Sequence, residues 1–317
     1  LYNPDFGWET NRKLEAAIEL GFLKDRIMFT AAWYQNRSSS QLVGMPLPGT
    51  TGFNSIQSNL DAEVQNSGFE FTLRSVNFQK ANFNWITNFN ISIAQNKLLS
   101  FPGLETSTYK NDYIVGQPIT IKKIFHSKGV NPQTGIYEFE DVNGDGEITY
   151  ADDRQTPCNL SPKYFGGLQN QFTYKGWQLD FLFQFVKQLN FNFASTQGYA
   201  GTFRNQPKEI VNSWSQPGDT ALYQIYTSGT NQKAMQASEY YAESDGAISD
   251  ASYIRLKNIS LSYDMPSQWL KIMHCRISLQ AQNLLTITSY KGADPEFKDA
   301  GYLPPLRIIA AGFQFTF

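Results

Sequence analysis

An alternation of period two, repeated in nine separate segments, limits this chain more than any other feature of its sequence. Phe83, Trp85, Phe89, Ile91 and Ile93 share one parity, while Asn84, Asn88, Asn90 and Ser92 take the other. Successive side chains of a strand point to opposite faces, so such a segment has one apolar and one polar side. The pattern recurs from Leu14 to Leu20, Ile27 to Trp33, Phe69 to Leu73 and Leu168 to Tyr174. It returns from Trp177 to Phe185, Ile259 to Tyr263, Ile277 to Ala281 and Ile309 to Phe317. With their flanks these segments reach roughly ten residues, the length a tilted strand needs to cross a bilayer. Their polar sides are rich in Asn, Gln, Ser and Thr. In a dry core each amide would need a partner, whereas a wet lumen supplies water.

The 317 residues suffice for one large domain or two ordinary ones. Lys and Arg number 26 against 28 Asp and Glu, which argues against a nucleic-acid binder. Mean hydropathy is −0.40, and no apolar run approaches the roughly 18 residues of a spanning helix. A helical membrane protein is thereby excluded. A barrel is not, because its two faces average out. Cys158 and Cys275 are the only cysteines, which is no disulfide framework, and they read as unlinked thiols. The first residue is Leu1 with no signal peptide after it, and the chain is expected to be a processed piece.

The connections alternate between short and long. Gly21 to Arg26, Val76 to Ala81, Lys175 to Gly176 and Met265 to Lys271 are short. Those near 38–60, 98–161, 194–250 and 288–304 are long. Outer-membrane barrels carry short turns at one end and long loops at the other. Long loops without a core of their own are uncommon in compact soluble domains. Tyr174, Trp177, Tyr263 and Phe317 sit at segment ends, as girdle aromatics do. The expected fold is all-β: about nine strands of a transmembrane antiparallel β-barrel. Bacterial single-chain barrels close with an even strand number. Nine strands therefore predict the C-terminal portion of a larger barrel, with Phe317 ending its closing strand.

One stretch carries a chemical signature. Asp141, Asn143 and Asp145 occupy positions one, three and five of a twelve-residue loop, and Gly146 falls at six. Glu147 at seven offers a carbonyl, Thr149 at nine a hydroxyl, and Asp152 stands at twelve. Hard oxygen donors in this order favour Ca²⁺, with Mg²⁺ second, over Zn²⁺ or copper. Asp in place of Glu at twelve weakens the match, and no amphipathic helix flanks the loop. The competing reading is a turn without an ion. An ion here would stiffen an outer loop and do no catalysis.

No catalytic set is visible. His126 and His274 lie on different segments. Asp152 with Asp153, or Glu138 with Glu140, read as solvated or metal-bound carboxylates before they read as a glycosidase pair. Gly166 and Gly167 resemble a strand entry, not a phosphate cradle. Pro207 to Trp214 reads as a short helix, with Ile210, Val211 and Trp214 packing inside the loop. Tyr109, Tyr240 and Tyr241 could stack on sugars but more simply fold their loops.

In order and spacing the chain resembles the SusC/RagA-type TonB-dependent outer-membrane transporters. The residues are Asn3-Pro4-Asp5 with Trp8-Glu9, the turn Gly21 to Arg26, Pro46-Leu47-Pro48 with Thr50 to Phe53, and Asn66 to Glu70. Gly116-Gln117-Pro118, the Asp-rich loop, Tyr253 to Tyr263 and Gln282-Asn283-Leu284 continue the match. Gly292 to Glu296, Pro304 to Arg307 and the final Phe317 complete it. The resemblance implies a plugged barrel of about twenty-two strands in the bacterial outer membrane, with long loops extracellular and the C-terminus periplasmic. It implies a SusD-like surface lipoprotein as lid, and TonB acting on the N-terminal portion, whose plug and TonB box are not in this sequence. It implies import of oligosaccharides, with peptides the second cargo, and no enzymatic activity. The alternative from another class is a secreted calcium-stabilised carbohydrate-binding β protein, which would bury its phenylalanines inside itself.

Overall fold

The computed structural model describes residues 3, 6–266, 273–297 and 303–316. Pro4, Asp5, Phe317, and parts of the expected turn 265–271 and loop 288–304 lie outside the described residues. Nine strands form one antiparallel sheet in strict chain order. They are β1 (Thr10–Phe22), β2 (Ile27–Ser39), β3 (Glu63–Lys80), β4 (Phe83–Ser100), β5 (Tyr164–Tyr174), β6 (Trp177–Lys187), β7 (Tyr253–Asp264), β8 (His274–Thr288) and β9 (Ile308–Thr316). Each alternating segment of the sequence became one strand. Among the described residues the sheet does not close on itself: β1 pairs only with β2, and β9 only with β8.

The register turns the alternation into two surfaces. On one face Lys80, Phe83, Tyr174, Trp177 and Tyr263 oppose one another across successive strands at the short-turn end. Further along lie Ser75, Thr87, Asn170, Phe181 and Ile259, then Phe71, Ile91, Gly166, Phe185 and Ile254. From Phe83 to Ile93 this face advances ten residues. At about 3.3 Å per residue and a tilt near 40°, that is a band roughly 25 Å tall, the height of the lipid-facing zone of outer-membrane barrels. Its side chains are left uncovered, with Phe313 and Ile309 about two-thirds exposed. A soluble β protein would have turned them inward.

The opposite face is polar and bonded to itself. Asn88 donates to Gln169 at 3.4 Å, and Gln169 donates to Asp180 at 3.0 Å. Arg276 reaches Gln178 at 3.0 Å and Ser262 at 2.8 Å. Gly166 occupies the apolar face just inside β5 because nothing larger fits. A Cβ there would meet the Asn90 carbonyl oxygen at 2.1 Å and the Phe185 ring at 2.6 Å.

One expectation needs correction. The turn expected from Val76 to Ala81 is shorter, because β3 continues to Lys80 through a bulge between Val76 and Phe78. Arg26 sustains that bulge by donating to the Val76 and Asn77 carbonyls at 2.9 and 3.0 Å. The long loops build cores of their own. Phe125, Tyr137, Phe139, Ala237 and Tyr240 form one cluster, and Ala62, Leu98, Phe101 and Leu104 another. Helix α1 (Gln232–Ala242) supplies Ala237 and Tyr240, and Asn231 caps it by accepting from the Ala234 N–H at 3.1 Å. Its apolar side is small, so the sequence pattern did not announce it.

Candidate functional site

Three long loops meet around a cleft of about 940 Å³. The loop between β4 and β5 contributes Tyr113, Lys122, Lys123 and Arg154. The loop between β6 and β7 contributes Phe191, Phe193 and Glu243. The loop between β8 and β9 contributes Tyr290, Asp294 and Phe297. Phe193 and Phe297 present exposed ring surface there. Arg154 donates to Glu243 at 2.6 Å, while its Nε is buried without a partner among the described residues. Lys123 is occupied by the Lys110 carbonyl at 2.8 Å and by Gln155 at 3.1 Å. Lys122 lies 5.3 Å over the Phe191 ring. The cleft thus combines aromatic faces with hydrogen-bonding groups, suited to holding a polar ligand that has apolar patches.

Arg255 anchors one wall. It is 1% exposed and sits on the polar face of β7. Its guanidinium donates to Asp294 at 2.5 Å, to Glu296 at 2.6 Å and to the Thr286 hydroxyl at 3.0 Å. Lys257 adds two bonds to Glu296, at 2.7 and 2.8 Å. The motifs Tyr253 to Tyr263 and Gly292 to Glu296, separate in sequence, are therefore one structural device that pins the last loop to the sheet. Buried Gln188 reinforces it by donating to the Pro295 carbonyl at 2.6 Å. Sequence reasoning missed this pairing. The signal was two oppositely charged pairs of equal spacing, Arg255/Lys257 and Asp294/Glu296.

Nearby, Lys187 holds Asp250 at 2.6 Å, and Ser252 adds two further donors. The Lys187 bond first, then Ser252, brings the Asp250 carboxyl down to about 2. Burial beside Tyr241, which stacks on it at 4.0 Å, pushes the Tyr137 phenol well up.

The Asp-rich loop folds as a chain of carboxylate-capped turns. Asp141 accepts from the Gly144 and Gly146 N–H groups at 2.7 and 2.8 Å. Asn143 donates to Asp145 at 2.8 Å, and Asp145 accepts from the Glu147 N–H at 2.8 Å. These bonds, the Glu147 N–H foremost, hold the Asp145 carboxyl below its usual range. Gly146 takes φ of +84°, as the sharp turn requires. Asp152 bonds the Thr149 hydroxyl at 3.1 Å. The buried clasp is Asp153, which accepts from Val142 and Thr149 at 2.8 and 2.7 Å. Among the described residues no three acidic, histidine or cysteine side chains stand gathered as a ready-made ion site. The donor types and their order still suit a hard cation.

The weaker candidates also resolve. His126 pairs with Asp245 at 2.5 Å. Cys158 and Cys275 are both free thiols. Tyr240 and Tyr241 pack inside the loop core, and Tyr109 packs against the Leu98 cluster. Lys208–Asn212 is a 3₁₀ turn preceded by Pro207. Ile210 and Trp214 are buried as expected, but Val211 is exposed, because the tighter turn rotates it away from their side. Trp214 donates its Nε1 to the Pro132 carbonyl at 2.8 Å and packs on Gly135.

Comparison with known proteins agrees with this architecture. Residues 1–284 match the family model described as TonB dependent receptor-like, beta-barrel. The chain is 27% identical over 362 residues to TonB-dependent receptor P3 of Formosa agariphila, covering 99% of this chain and 35% of that protein. It is 24% identical over 349 residues to TonB-dependent receptor SusC of Bacteroides thetaiotaomicron, covering 100% and 33%. Among solved structures, the RagAB peptide transporter superposes with a TM-score of 0.81 at 23% identity, covering 99% of this chain and 36% of that one. The same importer in its closed-closed state gives 0.77 at 22%, covering 99% and 36%. The chain thus spans about a third of the length of the curated relatives it matches. The two-faced antiparallel sheet, the SusC/RagA-type motif order and the family match lead to one conclusion: this chain belongs to the TonB-dependent receptor-like β-barrel family of outer-membrane proteins.

Proposed function

We propose that this chain forms part of the wall and outer loops of a transporter that imports oligomeric nutrients across the bacterial outer membrane under TonB drive. The observation that carries the reading is the pairing of a polar sheet face with a loop-built cleft. The polar face keeps a lumen wet, and the cleft offers a binding surface among the long loops, which lie outside the cell in this reading. The remaining strands, the plug and the TonB-contacting segment belong to the N-terminal portion. A SusD-like lipoprotein closes over the loops, and TonB pulls the plug to open a path. The chain contributes binding and enclosure, and no bond chemistry.

Oligosaccharides are the favoured cargo, since exposed aromatic faces beside amides and charged groups suit sugar stacking and hydroxyl recognition. Peptides are the other cargo, and the RagAB relatives are described as peptide importers. The test is to purify the intact transporter with its lid and identify the ligand that co-purifies. A glycan or peptide oligomer lost on Arg154→Ala supports the reading. Free passage of small solutes with no retained oligomer and no dependence on TonB contradicts it.

The Asp-rich loop is proposed to take Ca²⁺, or Mg²⁺ in its place. Asp141, Asn143, Asp145, the Glu147 carbonyl, Thr149 and Asp152 are its ligands. Drawing the acids together stiffens a loop otherwise held by hydrogen bonds alone. At a Ca²⁺ concentration ten times the dissociation constant the gain is about 1.4 kcal/mol. Metal analysis of the intact protein should show Ca²⁺ lost in the Asp141→Asn, Asp145→Asn double variant. Equal metal content in the two proteins removes the ion from the account.

A further inference from the structure

We propose that the apolar face of β3, β4 and β5, at the end carrying the short turns, binds an anionic phospholipid by its headgroup. The proposal rests on the membrane-facing assignment of that face and is independent of the cargo. Asn170 is the anomaly that points there. It lies on the apolar face between Thr87 and Phe181, yet is only 8% exposed. Its Oδ1 accepts from Trp85 Nε1 at 2.9 Å and from the Thr87 hydroxyl at 2.6 Å. Indole N–H only donates, so the amide orientation is fixed. The chain of bonds continues outward: Asn77 donates to Thr87 at 2.7 Å, and Ser75 donates to Asn77 at 2.8 Å. The Asn170 Nδ2 has no acceptor among the described residues, and it is not sealed off from the surface. A polar side chain in a hydrocarbon-facing row costs free energy unless something outside the sheet completes its bonding.

Two cations stand at the rim beyond this notch. Lys80 lies 5.8 Å from the centroid of the Phe78 ring, and Lys175 lies 5.3 Å from that of Tyr174. Their turns are joined by a bond from the Lys175 N–H to the Asn82 carbonyl at 3.3 Å. Both ammonium groups are thus held against aromatics at the membrane boundary. Among the described residues neither has a carboxylate within salt-bridge distance. Among rim acids, Asp264 donates its N–H to the Gly176 carbonyl at 2.9 Å and its carboxylate lies 3.7 Å from Arg276, and Asp25 sits on the turn between β1 and β2. Phe78, beside the Lys80 ammonium, opposes Trp85 one row nearer the rim than Asn170, about 5 Å in depth, and Tyr174, beside Lys175, stands two rows nearer, about 10 Å. A phosphate at Lys80 and Lys175 would place an ester carbonyl within reach of the Asn170 amide. The acyl chain would then lie along Trp85 and Phe172, which stack at 5.3 Å. The pairing of cations that lack a carboxylate partner with an unfilled amide donor in a hydrocarbon-facing row favours a lipid over a protein partner.

The intact transporter, purified in detergent, should retain added phosphatidylglycerol in preference to phosphatidylcholine of the same acyl chains, read by native mass spectrometry. Lys80→Gln with Lys175→Gln should weaken phosphatidylglycerol binding about 30-fold, from roughly tenfold per 1.4 kcal/mol and about 1 kcal/mol per lysine at an anionic surface. Lys80 is the exposed last residue of β3 and Lys175 lies in an exposed turn, so the variant folds even where Asn170→Leu does not. Equal retention of the two lipids, or a preference unchanged in the double variant, overturns the proposal. So does a photo-crosslinker at Phe172 that captures a protein, including a second copy of this chain, in place of lipid.

Discussion

At the residue scale, the energetics concentrate where charge is buried. Arg255 faces two carboxylates, and losing it leaves Asp294 without a cation and Glu296 with Lys257 alone. Removing one partner of a buried ion pair costs ~3–5 kcal/mol, because the orphaned charge remains desolvated. Arg255→Met should therefore strip hydrogen-exchange protection from residues 292–297. Adding Asp294→Asn and Glu296→Gln should restore much of it. The Lys187 and Asp250 clasp behaves differently because it is near the surface. The Asp250 carboxyl is brought to about 2 in the folded chain, against ~3.9 for an unperturbed Asp. A depressed carboxylate contributes stability above the unfolded value and loses it as pH falls through the folded one. The clasp should thus hold above about pH 4 and fail near pH 2. The carbon-13 shift of a labelled Asp250 carboxyl reads this midpoint, which Lys187→Gln should move upward.

At the element scale, the strands were legible because period two, sustained over a membrane's depth, has few other uses. Phe83 to Ile93 declares both its conformation and its two environments. The loops were less legible for a physical reason. Their elements are short, and they are stabilised by packing between distant segments, such as Phe125 against Tyr240 at 4.7 Å. Helix α1 buries Ala234 and Ala237, which carry little pattern. The twelve-residue loop was found by its spacing, but its buried member, Asp153, stands one place beyond the motif. Face assignment gives a sharp test. Leu73 lies on the outward face of β3 near mid-depth, and its neighbour Thr72 lies on the inward face. Leu73→Arg should cost ~2–4 kcal/mol of folding free energy in bilayers, whereas Thr72→Arg should cost far less. Refolding of the intact barrel into vesicles, with folded and unfolded bands separated on gels, measures both.

At the scale of the whole molecule, the nine strands form a curtain with two unpaired edges. β1 is exposed along its full length, and β9 nearly so. Long free edges invite pairing, which the remaining strands of a closed barrel would satisfy. The account stands on one assignment: lipid on the apolar face, water on the polar one. Spin labels placed singly from position 83 to 93 of the intact transporter in a bilayer test it directly. Positions 83, 85, 89 and 91 should be relaxed by oxygen, which partitions into hydrocarbon, and positions 84, 88 and 90 by a water-soluble nickel complex. Accessibility without this alternation, or with the two reagents exchanged, contradicts the account.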